Sequence, residues 1–293
     1  MRITHTVIGN RMMKSVQYNL EELAKAQERM STGKRVNRPS DDPTATSQIM
    51  EIESGIDRNR QYIRNITDGL AWVYETDAAL NDALGLLHKA RELAVQASND
   101  TYSPEDRQTI ARQIEGIMDG MEQVANRQMG NKYIFAGNKT DTKPFNNGVF
   151  QINTSDPTFS ENVKREIGRD EEVEVNAYVE TTFENIFATL ASLRDNLDAN
   201  NTAGIEQNIG DLDNNIDAVL VHRVKIGSRT RHLEALKSQL EDQEVRLAAV
   251  KSSLQDSDIG RAAIDFTQQQ IAYRAALSAG AKLMQMSLID YLR

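Results

Sequence analysis

The chain of 293 residues contains no cysteine, which excludes disulfide bonds, thiolate metal sites and cysteine nucleophiles. Aromatic residues, the bulkiest core fillers, make up only 5% of it. It has five prolines, the last at Pro157, so the C-terminal part of the chain lacks the strongest helix breaker. This composition favours a long structure held together by aliphatic seams over a thick globule.

Long apolar runs are also missing. No segment reaches the roughly 18 consecutive apolar residues that a membrane span requires. Residues 1–11 contain neither an apolar stretch nor a small-residue cleavage site of the secretory kind. We therefore expect no membrane association, and any export from the cell should proceed without a cleaved signal peptide.

Net charge is -9, which disfavours a nucleic-acid binder as a whole, but the charge is unevenly distributed. Residues 1–40 carry eight Lys or Arg against three Glu, and residues 260–293 carry four against two Asp. Two basic ends of +5 and +2 thus flank a body of -16. Either solvated helix faces account for this pattern, or both ends share one environment in an assembly.

Helical periodicity dominates the chain, most clearly over residues 45–98. Fifteen positions spaced alternately three and four residues apart, from Ile49 to Ser98, include eleven apolar side chains. Such a stripe packs one helix against partners along its whole length, here about 80 Å. Asp42-Pro43 supplies a cap and a first-turn proline, and Ser103-Pro104 repeats that signal for a helix over about 104–132.

Two further helices are predicted at about 183–200 and 203–254, and the segment between residues 133 and 182 breaks the pattern. Asn146-Asn147-Gly148 is a hairpin turn signal, and residues 173–179 alternate as a strand does. We predict a mainly α fold, an elongated rod of long antiparallel heptad-packed helices with a small β-rich insert. Its predicted domains are terminal helices (1–40 with 260–293), a helical rod (41–132 with 183–259) and a β insert (133–182).

The two ends of the chain each form one amphipathic helix, over about 7–31 and 258–291. A lone amphipathic helix cannot bury its stripe, so these helices should pair with each other, with neighbouring subunits, or with both. The stripes supply a candidate assembly interface. Its residues are Met13, Val16, Leu20, Leu23, Met30, Phe266, Tyr273, Leu277, Met284 and Leu288.

Catalytic or cofactor sites are not indicated. The four histidines lie too far apart along the sequence to form a local metal pair, and phosphate-loop, dinucleotide and hydrolase motifs are missing. The basic run of residues 222–232 could be a phosphate patch, but it lacks interleaved aromatics and is better explained as a helix face paired with acidic residues. We predict no enzyme activity, cofactor or metal.

Residues 30–43, Met-Ser-Thr-Gly-Lys-Arg-Val-Asn-Arg-Pro-Ser-Asp-Asp-Pro, resemble a signature of the flagellin superfamily. Residues 131–145, Asn-Lys-Tyr-Ile-Phe-Ala-Gly-Asn-Lys-Thr-Asp-Thr-Lys-Pro-Phe, are similar to a motif of its hook-filament junction branch, the hook-associated protein 3 family. The opening residues 2–4 and the ending 284–292 also resemble that branch. The first match identifies a candidate signature loop. Its residues are Gly33, Arg35, Asn37, Arg38, Ser40, Asp41 and Asp42.

This resemblance implies a structural subunit of the bacterial flagellum that is exported through the flagellar type III apparatus and acts outside the cell. It implies four partners: hook-associated protein 1, flagellin, further copies of the same chain in a ring, and an export chaperone. On this basis the basic ends would line the inside of a tube and the acidic body would face outward.

Other functions stay open from the sequence. A flagellin filament subunit is the nearest alternative, and it would be recognised by growth into long filaments. A cytoplasmic coiled-coil adaptor would be found only inside the cell. An enzyme is the least favoured, because no nucleophile and base occur in a known arrangement.

Overall fold

A computed structural model describes the backbone of residues 5–99 and 101–291, and the side chains of residues 7, 9–99 and 101–282. Within these residues the fold is mainly α with a small β insert, as predicted. The helices are α1 (His5–Thr32), α2 (Pro43–Ala97), α3 (Pro104–Ala125), α4 (Glu180–Asp198), α5 (Thr202–Gln255) and α6 (Ile259–Tyr291). The strands are β1 (Gln128–Met129), β2 (Lys132–Tyr133), β3 (Phe145–Asn146), β4 (Val149–Phe150), β5 (Lys164–Gly168) and β6 (Glu171–Glu174).

The contacts divide the chain into two compact units, unit 1 (residues 1–58 and 243–293) and unit 2 (residues 59–242). The three-part domain division made from the sequence therefore stays a proposal. Unit 1 contains the paired helices α1 and α6 together with the adjoining ends of α2 and α5. Unit 2 contains the remaining helices and all six strands.

Helix starts follow the predicted caps. Helix α2 begins at Pro43, and the Asp42 carboxylate accepts a hydrogen bond from the Ala45 N–H at 2.9 Å. Helix α3 begins at Pro104 with a complete capping box between Ser103 and Asp106. These side chains satisfy backbone donors that a first helical turn leaves without partners.

The heptad stripe of α2 is buried as predicted, and in unit 2 it faces α5. Ion pairs across the seam show that the two helices are antiparallel, since Asp77 pairs with Arg223 and Arg91 with Asp213. A second stripe, which the hydrophobic periodicity does not predict, buries Trp72, with 2% of its surface exposed, and a set of smaller side chains. They are Thr76, Ala79, Ala83 and Ala90. Small side chains permit close helix approach, so α2 is buried on two sides.

The β insert consists of three separate antiparallel pairs, β1 with β2, β3 with β4 and β5 with β6. Asn147 and Gly148 connect β3 to β4 with φ values of 49° and 77°, confirming the predicted hairpin turn.

Two predicted elements were wrong in extent. Helix α3 ends at Ala125 rather than near residue 132, because the Asn126 side chain bonds both the N–H and the C=O of Phe145.

The predicted strand over residues 173–179 is the second difference, because β6 ends at Glu174 and is followed by one last backbone hydrogen bond, from the Val175 N–H to the Val163 C=O. The next residues, Val175, Asn176 and Ala177, are all buried, so the alternation does not continue. Asn176 explains the change, since its amide donates to the Glu161 C=O and accepts from the Val163 N–H. A side chain that substitutes for a neighbouring strand ends the ladder.

Candidate assembly surfaces

The signature loop, residues 33–42, is bonded to the connector between α5 and α6, residues 255–258. Gly33 ends α1 with a φ of 69°, a conformation that favours glycine, and its C=O accepts from the Ser257 N–H at 2.8 Å. The Arg35 N–H donates to the Gln255 C=O at 2.7 Å. Four helix ends of unit 1 therefore meet in one backbone network.

Two acids organise the side chains of the signature loop. One oxygen of Asp41 accepts from the backbone N–H groups of Asn37 at 3.1 Å and Arg38 at 2.9 Å. Asp42 caps α2 and also pairs with Arg35 at 3.2 Å. These contacts close the loop on itself, an Asx-type arrangement that fixes the turn before a helix.

The two arginines extend the network to neighbouring helices. Arg35 also donates to the C=O of Leu254 in α5 at 2.8 Å, and Arg38 pairs with Glu28 of α1 at 3.3 Å. Ser40 differs from the other predicted loop residues. Within the described part of the chain its side chain is exposed and makes no hydrogen bond. The arginines and acids thus join helices of the same chain, which supports the interpretation of this segment as a structured connector.

A small apolar cluster lies under the loop. Val36 is 4% exposed and packs with Ala45, Ile49 and the partly buried Leu254. The sequence alone does not predict the contact of Val36 with Leu254 or the role of the 255–258 connector, because these contacts join positions more than 200 residues apart. The cluster shows that the loop is anchored by burial as well as by hydrogen bonds.

Backbone and side-chain donors lower the pKa of both acids. The pKa of Asp41 falls mainly through the backbone N–H of Arg38, and that of Asp42 mainly through the N–H of Ala45 and then the Arg35 side chain. Because each folded pKa lies below the unfolded value, ionisation stabilises the loop at neutral pH. That stabilisation is fully present above the ordinary pKa of an unfolded aspartate and is lost as pH falls through the lowered folded pKa values.

Asp42→Asn should reveal this dependence. Asparagine retains the helix cap but loses the charge opposite Arg35, so the melting temperature should be lower than that of the unsubstituted chain at pH 7 and approach it at pH 3. Circular dichroism melts at pH 7, 5 and 3 measure the difference. The control is Asp265→Asn at an exposed position of α6. An equal destabilisation by Asp42→Asn at all three pH values would contradict the ionic contribution.

The terminal helices α1 and α6 pack against each other along unit 1. Small side chains make the close contacts, since Ala26, Ala262 and Gly280 are buried and a Cβ on Gly280 would lie 3.3 Å from the Met12 methyl carbon. None of these small residues was in the predicted interface. The pairing of the two helices with each other is one of the arrangements expected of amphipathic ends.

Pairing leaves much of the predicted assembly interface uncovered. Val16, Leu23, Phe266 and Tyr273 are half-buried, whereas Met13, Leu20, Met30 and Leu277 are exposed, by 37% to 53%. Met284 and Leu288 lie outside the described side chains. Three residues of α6 outside the predicted interface list, Ile259, Ile264 and Ile271, expose 62% to 67% of their surface. Unit 1 therefore presents more large apolar side chains than one helix pair can bury.

The motif of residues 131–145 contains a point in unit 2 where the backbone at Gly137 passes very close to the backbone at Ser160. Gly137 has a φ of 58°, and a Cβ there would lie 2.7 Å from the Ser160 C=O oxygen. Asn138 clasps the same segment, accepting from the Ser160 N–H at 2.9 Å and donating to the Thr158 C=O at 2.7 Å. Only glycine fits position 137, which explains physically why the motif contains it.

The basic run of residues 222–232 is largely paired inside unit 2. Arg223 bonds Asp77 at 2.9 Å, and Arg229 donates to the Asn176 C=O and pairs with Glu174. His222 lies 3.0 Å from the Thr182 hydroxyl, and burial, followed by the charge of Lys225, lowers its pKa. These contacts support a helix face paired with acidic partners over a phosphate patch.

Among the side chains that the structure describes, those of residues 7, 9–99 and 101–282, His, Asp and Glu nowhere form a group of three suited to a metal ion. Within the same residues, every helix is too short or too polar to cross a membrane.

Sequence comparison finds two matching family regions. The N-terminal helical region of bacterial flagellin matches residues 3–140, and its C-terminal helical region matches residues 208–292. Flagellar hook-associated protein 3 of Salmonella typhimurium is 29% identical over 314 residues and covers 99% of both chains. Bacillus subtilis flagellin is 24% identical over 315 residues and covers 100% of both.

A solved structure shares the fold. The crystal structure of Bacillus cereus FlgL matches with a TM-score of 0.61 at 22% identity, covering 69% of this chain and 99% of that one. Similarity at this level of identity supports the helical architecture, while the full-length sequence match extends over both terminal helices and the β insert.

Proposed function

Since this chain belongs to the flagellin superfamily, we propose that it is the structural subunit joining the flagellar hook to the filament. One observation carries the proposal, the alignment with a hook-associated protein 3 along 99% of both chains. This alignment includes the β insert as well as the helices, and its 29% identity exceeds the 24% of the full-length alignment with Bacillus subtilis flagellin. We assign the protein to the external flagellum, as a structural component without enzymatic activity.

The proposed partners follow from the position of a junction subunit. Hook-associated protein 1 would contact it on the hook side, flagellin on the filament side, and identical copies around a ring, after delivery by an export chaperone. No nucleic acid or membrane is among the proposed partners. The exposed apolar side chains of α1 and α6 support assembly, because large uncovered apolar surface on a small helix pair marks an interaction site.

Flagellin itself is the second candidate, favoured by the full-length alignment with Bacillus subtilis flagellin at 24% identity. The two functions differ in how far the protein assembles. A filament subunit grows into long polymers, whereas a junction subunit forms a short ring and then accepts a different protein. A cytoplasmic adaptor would have neither behaviour and would stay inside the cell.

Deletion of the gene followed by electron microscopy tests the proposal. Cells should carry hooks without filaments and release flagellin into the medium. Filaments of normal length on the deletion strain would overturn the junction role, and a loss of flagellin protein itself would favour the filament subunit. Detection of the chain only in the cytoplasm would favour the adaptor.

Complementation of the deletion strain tests the interface. Leu20→Asp places a charge at a position that is 49% exposed, so the monomer should fold while filaments fail to form. The matched control is Val245→Asp in α5, which is 69% exposed and lies outside the terminal helices. Normal filaments with Leu20→Asp would remove α1 from the proposed interface.

A further inference from the structure

The seam between α4 and α5 contains polar pairs that repeat every seven residues on both helices. We call the three pairs the polar ladder. They are Thr182 with His222 at 3.0 Å, Thr189 with Asn215 at 2.9 Å, and Asn196 with Asn208 at 2.8 Å. From one pair to the next, the residue number on α4 increases by seven and the number on α5 decreases by seven. The pairs therefore follow the heptad repeat of two antiparallel helices.

The α5 members of the polar ladder include two well-buried amides. Asn208 is 3% and Asn215 is 7% exposed, whereas Thr189 and Asn196 on α4 are half-buried at the edge of the seam. Asn208 makes a further bond to the exposed Ser192 at 3.0 Å. Apolar side chains of similar volume would give a seam of equal or greater stability, so stability alone does not explain buried amides in repeated positions.

The buried apolar residues of α4 determine which face of the helix meets its neighbours. Apolar contacts themselves carry no directional requirement, so they discriminate less sharply than hydrogen bonds between neighbouring rotational settings. The buried set is Phe183, Ile186, Phe187, Leu190, Leu193 and Leu197. Hydrogen bonds, in contrast, need one alignment of donors and acceptors, which is how a single buried asparagine selects register in coiled coils.

We propose that the polar ladder is an orientation lock that selects one rotational setting of α4 on α5. The short turn over residues 199–201 prevents the helices from sliding by a heptad, and the ladder prevents α4 from rolling. The setting it selects directs Phe183 and Phe187 towards Phe145, with ring centroids 5.5 Å and 5.9 Å apart. The lock thereby positions the β insert against the helices.

A double substitution, Asn208→Leu with Asn215→Leu in the full chain, tests the lock. Its partners Thr189, Ser192 and Asn196 reach solvent, so water can replace the lost bonds. The urea midpoint should equal or exceed that of the unsubstituted protein. Amide hydrogen exchange in α4 should nevertheless become at least about tenfold faster, and near-ultraviolet dichroism should weaken, as in under-specified cores.

Asn214→Leu is the matched control, because it adds the same side chain to an exposed position of α5. It should leave exchange in α4 unchanged. If the double variant has a lowered urea midpoint but unchanged amide exchange in α4, the polar ladder only stabilises the seam. That result would overturn the proposed lock. Unchanged exchange at an unchanged or raised midpoint would overturn it as well, since α4 would then keep its setting without the ladder.

Discussion

Phe183→Ala is expected to lower the free energy of unfolding of unit 2 by about 3–5 kcal/mol, the usual cost of removing a buried aromatic ring. Phe183 is 1% exposed, and its ring centroid lies 5.2 Å from that of Phe135 and 5.5 Å from that of Phe145. Five of the seven phenylalanines gather in this cluster, including Phe150 and Phe187. The phenylalanines are therefore concentrated where the β insert meets α4.

Urea denaturation followed by circular dichroism measures the effect. Phe159→Ala is the control, because Phe159 is half-buried at the edge of the insert and its ring pairs only with Tyr178, 6.2 Å away, among the described aromatic contacts. Phe159→Ala should lower the free energy of unfolding by clearly less than Phe183→Ala. Equal losses for the two variants would show that the cluster adds little beyond ordinary burial of a ring.

Arg107→Met is expected to destabilise unit 2 by about 2–4 kcal/mol, because it removes charge-assisted hydrogen bonds and leaves the C=O of the buried Ala97 without this donor. Arg107 in α3 is only 4% exposed. It donates to the C=O of Ala97 at 2.9 Å, to the C=O of Asn99 at 3.0 Å and to the Asn200 side chain. One guanidinium thus joins the α2–α3 turn to the α4–α5 turn.

The matched control is Arg112→Met, at an exposed position of the same helix, where a change within about 0.5 kcal/mol is expected. Thermal and urea unfolding of both variants provide the comparison. Methionine preserves length and much of the apolar contact, so the measured loss reports the hydrogen bonds. If Arg107→Met leaves the free energy of unfolding nearly unchanged, water must replace the hydrogen bonds of the guanidinium.

Features governed by short-range pattern were predictable from the sequence. The α2 stripe, the Asp42 and Ser103 caps and the Asn147-Gly148 turn each depend on residues within one or two helical turns or within one hairpin, so local chemistry determines them. The motif of residues 30–43 pointed to the signature loop, although not to the 255–258 connector that it binds.

Contacts between distant residues were not predictable in the same way. In the sequence, Arg107 cannot be told from an ordinary exposed arginine of a helix. Its partners lie in two turns that only the folded chain brings together. The small side chains opposite Trp72 give no strong hydrophobic periodicity, so the second buried stripe of α2 went unnoticed. The outer side chains of the terminal helices remain a predicted interface, since their partners are other molecules.

The single tryptophan offers an optical consequence of this architecture. Trp72 is the only indole of the chain, it is 2% exposed, and it belongs to unit 2. Its fluorescence should shift to longer wavelength only when that unit opens, whereas far-ultraviolet dichroism records the helices of both units. Comparing the two signals in one denaturation series therefore shows whether the units unfold together or in sequence, without any introduced label.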